Sequence, residues 1–367
     1  MATRPLTEDV ADLEAKVSRG ERLSGEELVR LFRSPDILAV GRMATMVRER
    51  KNGNRTYFIV NAHINPTNLC TNRCRFCAFQ RQPGQDGAYE MDLAEIQRRA
   101  RALRDRPIGE VHIVGGLHPE WPYERYLDIL RVVHDELPTV HIQAYTAVEV
   151  EYIARQGGVT VERALRDMVD AGLGSLPGGG AEVFAARIRA LLCPNKLAPD
   201  GWLDVHRIAH GLGVRSNATM LYGHVETVEE RVDHLLRLRS LQDETGGFLA
   251  FIPLSYHPHN TELGGHRTSG YEDLRTLAVA RVALDNFDHI KGFWIMLGLK
   301  MAQVSQAFGV DDIDGTVMEE RITHAAGAET PEALAREELV GLIHEAGRDA
   351  VERDTLYNVV REEAVSA

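Results

Sequence analysis

Cys70, Cys74 and Cys77 fall within eight positions of "NPTNLCTNRCRFCAF", and the only other cysteine, Cys193, lies more than a hundred residues away. Three thiols separated by three and then two residues converge on one point from either a loop or a helical turn. The intervening Thr71, Asn72, Arg73 and Arg75 are polar or charged, so the segment lacks the flanks of a buried core stripe. Four cysteines in 367 residues make no disulfide framework, and clustered thiols are metal ligands or redox groups. A zinc site is normally closed by four ligands, and His63 and Cys193 are the residues that would complete one. An iron–sulfur cluster takes one cysteine for each iron, so three local thiolates without a fourth leave one iron open to a ligand from outside the protein.

Such a cluster needs a rigid frame. From Arg55 onward, short β-rich runs alternate with helical patterns, the signature of βαβ units in a parallel sheet. The runs are 56–64, 110–116, 140–148, 172–179, 215–223, 248–256 and 289–297, with 307–315 as a further one. Between them, "YERYLDILRVVHDEL", "VERALRDMVDAG", "EERVDHLLRLRSLQDETGG" and "EDLRTLAVARVAL" carry apolar residues three and four apart. Seven or eight repeats predict an α/β fold of the (β/α) TIM-barrel type, with the site on the loops at the carboxyl ends of the strands. A doubly wound open sheet is the alternative. Residues 1–54 read as a helical lead-in, with a capping box at Ser24 and Glu27. Residues 55–327 are expected to form the barrel, and 328–367 a helical segment packed on it.

With Phe76 before the last thiol, C-x3-C-x-F-C after a strand resembles the radical S-adenosylmethionine (SAM) enzymes. That resemblance implies a 4Fe-4S cluster on Cys70, Cys74 and Cys77, whose open iron is chelated by the amino and carboxylate groups of SAM. Reduction then cleaves the sulfonium to methionine and a 5′-deoxyadenosyl radical. It further implies that Gly115 and Gly116 bring backbone to the cofactor's amino group, as an alternative to a simple turn. Glu182, in "LPGGGAE", stands where relatives contact the ribose, or caps the following helix. Arg207 stands where relatives place an arginine for the methionine carboxylate, or lies on a solvated helix face. The stretch around Tyr222 resembles the one that lines the adenine through backbone contacts.

"VGGLHPE", "SLPGGGAE", "RSNATMLYGHVET", "FLAFIPL" and "DDIDGTVMEERITHAAGA" extend the resemblance to the aminofutalosine synthase family of the futalosine route to menaquinone. Its sister families are the dehypoxanthine futalosine cyclases and the deazaflavin-forming synthases, which share the cluster motif. The resemblance implies addition of the adenosyl radical to 3-[(1-carboxyvinyl)oxy]benzoate, rearrangement, and loss of a carboxylate to give 6-amino-6-deoxyfutalosine. It also implies an electron donor such as flavodoxin or ferredoxin. A dry, enclosed barrel interior is expected, because a primary carbon radical reacts with almost anything. The two substrate carboxylates need donors, and His118, Asn217, Tyr256, His257 and His259 are the candidates. Each also has a plain structural reading as loop imidazole, satisfied buried amide or surface turn. Asp311, Asp312 and Asp314 lack the distal Glu of a Ca²⁺ loop and read as loop and cap residues, one of which can touch substrate. Cys193 reads as structural, and its replacement is expected to leave cluster content intact.

The chain's net charge of -12 argues against nucleic-acid or acidic-membrane binding, which rests on basic surface. No run of 18 apolar residues and no apolar leader occurs, so a cytoplasmic location is expected. A non-catalytic zinc or iron–sulfur protein is the reading from another class.

Overall fold

The computed structural model describes residues 10–365, so the first part of the lead-in pattern lies outside the described residues. Eleven strands run in chain order as β1 (Arg55–Ile59), β2 (Asn61–Ile64), β3 (Glu110–Ile113), β4 (His141–Ala144), β5 (Ser175–Leu176), β6 (Arg215–Tyr222), β7 (Phe248–Ser255), β8 (His289–Ile290), β9 (Asp312–Gly315), β10 (Asp349–Arg353) and β11 (Val359–Glu363). β2 to β8 form one parallel sheet in sequential order, with a helix in each crossover. The expected α/β barrel architecture is therefore the one observed.

The sheet's two edges are joined by the segment 312–318, which bridges Lys291 to Asp312 on one side and Ala62 to Met318 on the other. Gly292 N donates to Asp312 O at 2.7 Å and His63 N to Met318 O at 2.8 Å. The run 56–64, expected to be one strand, divides at Val60 between two sheets. The cause is Thr316, whose Oγ1 accepts from Asn61 N and donates to Asn61 O, while Val317 N donates to the Asn61 side chain. These bonds occupy the backbone that a continuous strand would use, and β1 pairs instead with β9 and β10.

A second correction concerns 328–367. One helix forms, Arg336–Glu345, but β10 and β11 follow it as an antiparallel pair that extends the second sheet. Buried ion pairs anchor this end: Arg353 Nε donates to Asp312 Oδ2 at 2.7 Å, as does Tyr357 Oη at 2.7 Å, and Asp311 is held by Arg281 and by His289 Nδ1 at 2.6 Å. Asp311 and Asp312 are thus structural, although Asp312 lies within β9 rather than in the expected loop or cap, because it pairs with β1.

The helices follow their sequence patterns. Val161–Asp170 buries Ala164, Leu165 and Met168 on one stripe, and capping boxes open Gly25–Arg33, Ala147–Gly157 and Val228–Thr245. The lead-in helix Ile37–Asn52 packs on Gly270–Ala283. Its buried Arg48 donates to the carbonyls of Val310, Gly53 and Arg55, at the amino ends of β1 and β9 and therefore opposite the cysteines. No helix among the described residues is long and apolar enough to cross a membrane.

Candidate active site

Cys70, Cys74 and Cys77 lie on the long loop after β2, which backbone hydrogen bonds pin to two neighbouring elements. Thr71 N donates to Leu117 O beyond β3, Arg75 N to Leu192 O at the end of helix Ala186–Leu192, and Cys70 N to Arg81 O within the loop. All three cysteines and Phe76 line one cavity of about 360 Å³. No three metal-ligating side chains among the described residues are already gathered at coordinating distance. Burial raises the pKa of Cys70 and pushes Cys77 up to about 11, while a hydrogen bond with Cys193 and then burial raise Cys74. Metal binding at these thiols therefore has to displace protons.

Gly115 and Gly116 line the same cavity, and their reason is close approach rather than a turn. A Cβ on Gly116 would stand 2.2 Å from Leu69 O, and one on Gly115 2.9 Å from Thr67 O. Gly116 N donates to Thr67 O at 2.9 Å, and Gly115 N to Glu149 Oε1 at 3.0 Å.

Glu182 faces the cavity with φ of 53° and accepts from Lys196 Nζ at 2.6 Å. It does not cap the following helix, whose N-cap is Ala185 without a side-chain bond. Lys196 also stands 5.4 Å from the Phe76 ring centroid. Burial works against its ammonium, but Glu182 and the thiols of Cys74 and Cys193 outweigh that and raise its pKa.

Several candidates lie elsewhere. Arg207 is on a solvated helix face, bound to Glu244 and Asp204, and does not line the cavity. Tyr222 turns its hydroxyl outward to Asp273 at 2.8 Å, so only its backbone is on the barrel side. His118 stacks on Trp121 and accepts through Nδ1 from the amides of Glu120 and Trp121, which makes it an organiser of the loop. His259 is exposed and packs by Gly327. Tyr256, His257 and Asn217 do line the cavity. Tyr256 Oη donates to Gly264 O at 3.0 Å and His257 Nε2 to Met296 O in the helix Trp294–Leu297 at 2.9 Å, so both are already held by the protein. Asn217 approaches Gln143 at 3.5 Å.

The barrel interior is not filled. Inward positions that carry branched apolar residues in ordinary barrels hold Asn61 and His63 on β2, Glu110 and His112 on β3, Gln143 on β4, Asn217 on β6, and Asp314 on β9. With Lys291 just past β8 they form a polar floor below the cysteine loop. Of these, the sequence points only to Asn217 and the aspartate run for substrate, and Glu149 and Lys196 carry no local signal that marks them.

Glu149 gives a pH signature. Burial lifts its pKa from 4.5 to about 7, although the amides of Gly115 and Thr146 favour its charge. Between those values the folded protein holds a proton the unfolded chain has released, so this group's contribution to stability falls as pH rises to 7. Glu149→Gln keeps an acceptor and stays neutral. Its melting temperature, relative to the unsubstituted protein, is expected to rise between pH 5 and pH 8; a pH-independent difference would contradict the assignment.

Residues 64–238 match the family model described as the Radical SAM superfamily, and 245–365 match the CofH/MqnC C-terminal region. The chain is 46% identical to the aminodeoxyfutalosine synthase of Thermus thermophilus over 94% of both chains, and 43% identical to that of Streptomyces coelicolor over 96% of this chain and 94% of the relative. It is also 42% identical to the 5-amino-6-(D-ribitylamino)uracil–L-tyrosine 4-hydroxyphenyl transferase of Methanopyrus kandleri, over 89% of this chain and 90% of that one. In fold it is similar to methylornithine synthase, with a TM-score of 0.70 at 18% identity over 92% of this chain and 96% of that one. The chain belongs to the radical SAM superfamily and is an enzyme. Within that superfamily it falls with the aminodeoxyfutalosine synthases and their CofH/MqnC-type relatives.

The superfamily implies a 4Fe-4S cluster and SAM, and the residues present fit both: three thiols on one cavity wall, a glycine pair with no room for a Cβ, and a buried Glu182–Lys196 pair beside them. The zinc reading falls with this assignment. The superfamily also implies a small-molecule substrate and a source of electrons.

Proposed function

We propose that this enzyme is an aminodeoxyfutalosine synthase. It joins the adenosyl group of SAM to the enolpyruvyl-oxybenzoate with loss of carbon dioxide, forming 6-amino-6-deoxyfutalosine for menaquinone biosynthesis in the cytoplasm. The observation that carries the proposal is one continuous cavity, with three thiols on its wall and a polar floor that suits a substrate bearing two carboxylates. Identity of 46% and 43% to synthases along nearly the whole chain supports it.

Cys70, Cys74 and Cys77 would hold the cluster with Phe76 beside them, and Gly115 and Gly116 would let the end of β3 close against the cysteine loop, so that SAM would bind beside the cluster. When bound and reduced by a flavodoxin or ferredoxin, cluster and SAM supply a 5′-deoxyadenosyl radical. Glu182 and Lys196 present opposite charges to the cofactor's polar end. The strands exclude water and hold the alkene at near-attack distance, roughly 3 to 3.5 Å. Positioning outweighs acid–base catalysis here, because the step that forms the new bond moves no proton.

The Methanopyrus relative supports a second reading, a deazaflavin-forming transferase acting on tyrosine and a ribitylaminouracil. Parallel anaerobic reactions with each substrate set, analysed by mass spectrometry, separate the two. An adenosine-containing product from the enolpyruvyl ether alone is expected; a coupled product from tyrosine and the uracil would overturn the proposal.

A further inference from the structure

The floor of the cavity holds an ammonium group whose hydrogen-bonding capacity is unused. Lys291 follows β8, its side chain is 8% exposed, and its nearest ionic partner is Asp314 Oδ2 at 3.6 Å, beyond hydrogen-bond reach. Lys291 Nζ makes no hydrogen bond to any described residue, and its side chain lines the cavity, so its three donors remain available there. A buried cation left in that condition is costly unless something else completes it.

The surroundings limit what that is. His63 and His112 stack at 4.7 Å between ring centroids, and burial lowers the pKa of both, so neither adds positive charge. Asn217 presents its amide to the same space, held only by the 3.5 Å approach to Gln143. The other lysine on the cavity wall, Lys196, is taken up by Glu182. Lys291, whose ion-pair partner is Asp314 at 3.6 Å, is therefore the cation of the floor with hydrogen-bonding capacity to spare among the described residues; the buried Glu110 is the other acid facing it, and Asn217 offers an amide donor to the same cavity.

We infer that Lys291, assisted by Asn217, binds the ring carboxylate of the substrate and so selects an arene that bears an anionic group remote from the reacting alkene. This deepens the proposed synthase reading and rests on it for the identity of the arene. The direction follows from the cavity: the alkene and the carboxylate on its own carbon must lie by the cysteine loop, and the 3-carboxylate of the ring projects away from them into the strand layer. Asp314, at 3.6 Å, is close enough to orient Lys291 and far enough to leave its donors to a bound carboxylate.

The test compares two substrates and one variant. In anaerobic, cluster-reconstituted enzyme, Lys291→Met is expected to raise KM for the enolpyruvyl-oxybenzoate about 100-fold, the loss typical of truncating one partner of a buried charge pair. 2-Phenoxyacrylate, which lacks the ring carboxylate, is expected to have the same KM with both proteins. Equal loss on both substrates would mean a structural role and overturn the inference. Binding of isophthalate, measured by calorimetry without turnover, is expected to weaken by a similar factor in the variant; unchanged affinity would overturn it. If Lys291→Met does not fold, the wild-type enzyme decides: a KM for 2-phenoxyacrylate no higher than for the full substrate overturns the inference. Should the wild type make no adduct from either substrate while isophthalate binding still depends on Lys291, the synthase reading fails and the carboxylate site stands.

Discussion

Replacing any one of Cys70, Cys74 or Cys77 with alanine is expected to abolish SAM cleavage and strip iron from the protein. Each thiolate supports one iron, and the loss of a ligand exceeds the roughly 10- to 100-fold cost of outer-sphere changes. The fold is expected to survive, because backbone hydrogen bonds from Cys70, Thr71 and Arg75 tie the loop down. Iron and sulfide per chain, with 5′-deoxyadenosine formation, are the measurements. Cys193→Ala is the contrast: its thiol is buried against Cys74, yet it sits at the end of a helix and does not line the cavity, so iron content is expected to hold. Full activity in any of the first three variants would contradict the cluster assignment.

Gly116→Ala is the second large effect. The new Cβ would meet Leu69 O at 2.2 Å, Leu69 C at 2.7 Å and Asn68 C at 3.1 Å, all of them backbone atoms with no side-chain rotation to relieve the clash. Either the cysteine loop or the end of β3 has to move, at a cost of about 1–3 kcal/mol or more in stability. A shift of about 1 Å in positioning groups is worth on the order of 100-fold in rate, so turnover is expected to fall by at least that factor. Gly211→Ala is the matched control, since nothing lies within 4 Å of its Cβ. It ends the helix Pro199–Gly211 and should leave melting temperature and turnover nearly unchanged. A Gly116→Ala enzyme of normal activity would show that the two backbones do not need to touch.

The contrast between Gly116 and Lys291 shows where the sequence is informative. Cysteine spacing, glycine pairs and helix caps are local patterns, and the chemistry they report is local too, which is why the loop, the glycines and the capping box at Ser24 were legible. The polar floor is assembled from one or two residues on each of several strands, and most of those strands are separated in sequence by tens of residues. His63 or His112 alone looks like one outward position of a half-exposed strand, and only the register that puts Asn61 opposite Glu110 and His63 opposite His112 turns them inward together. Lys196 was hidden for a similar reason, lying fourteen residues beyond the carboxylate it meets. Arg207 shows the opposite case: its place along the chain fits the family, but it falls on the wet face of its helix, while Tyr222 turns its side chain out to Asp273 and leaves only backbone on the barrel side. The division of 56–64 depends on Thr316, some 250 residues away, which no local reading of that segment contains.

The most direct test of the account follows the adenosine. SAM labelled with carbon-13 in its ribose is incubated anaerobically with reconstituted enzyme, reductant and the enolpyruvyl-oxybenzoate, and the products are separated by mass. The label is expected to move into a product containing the whole adenosine unit joined to the substrate less carbon dioxide, one for each methionine released. Label recovered only as free 5′-deoxyadenosine would contradict it.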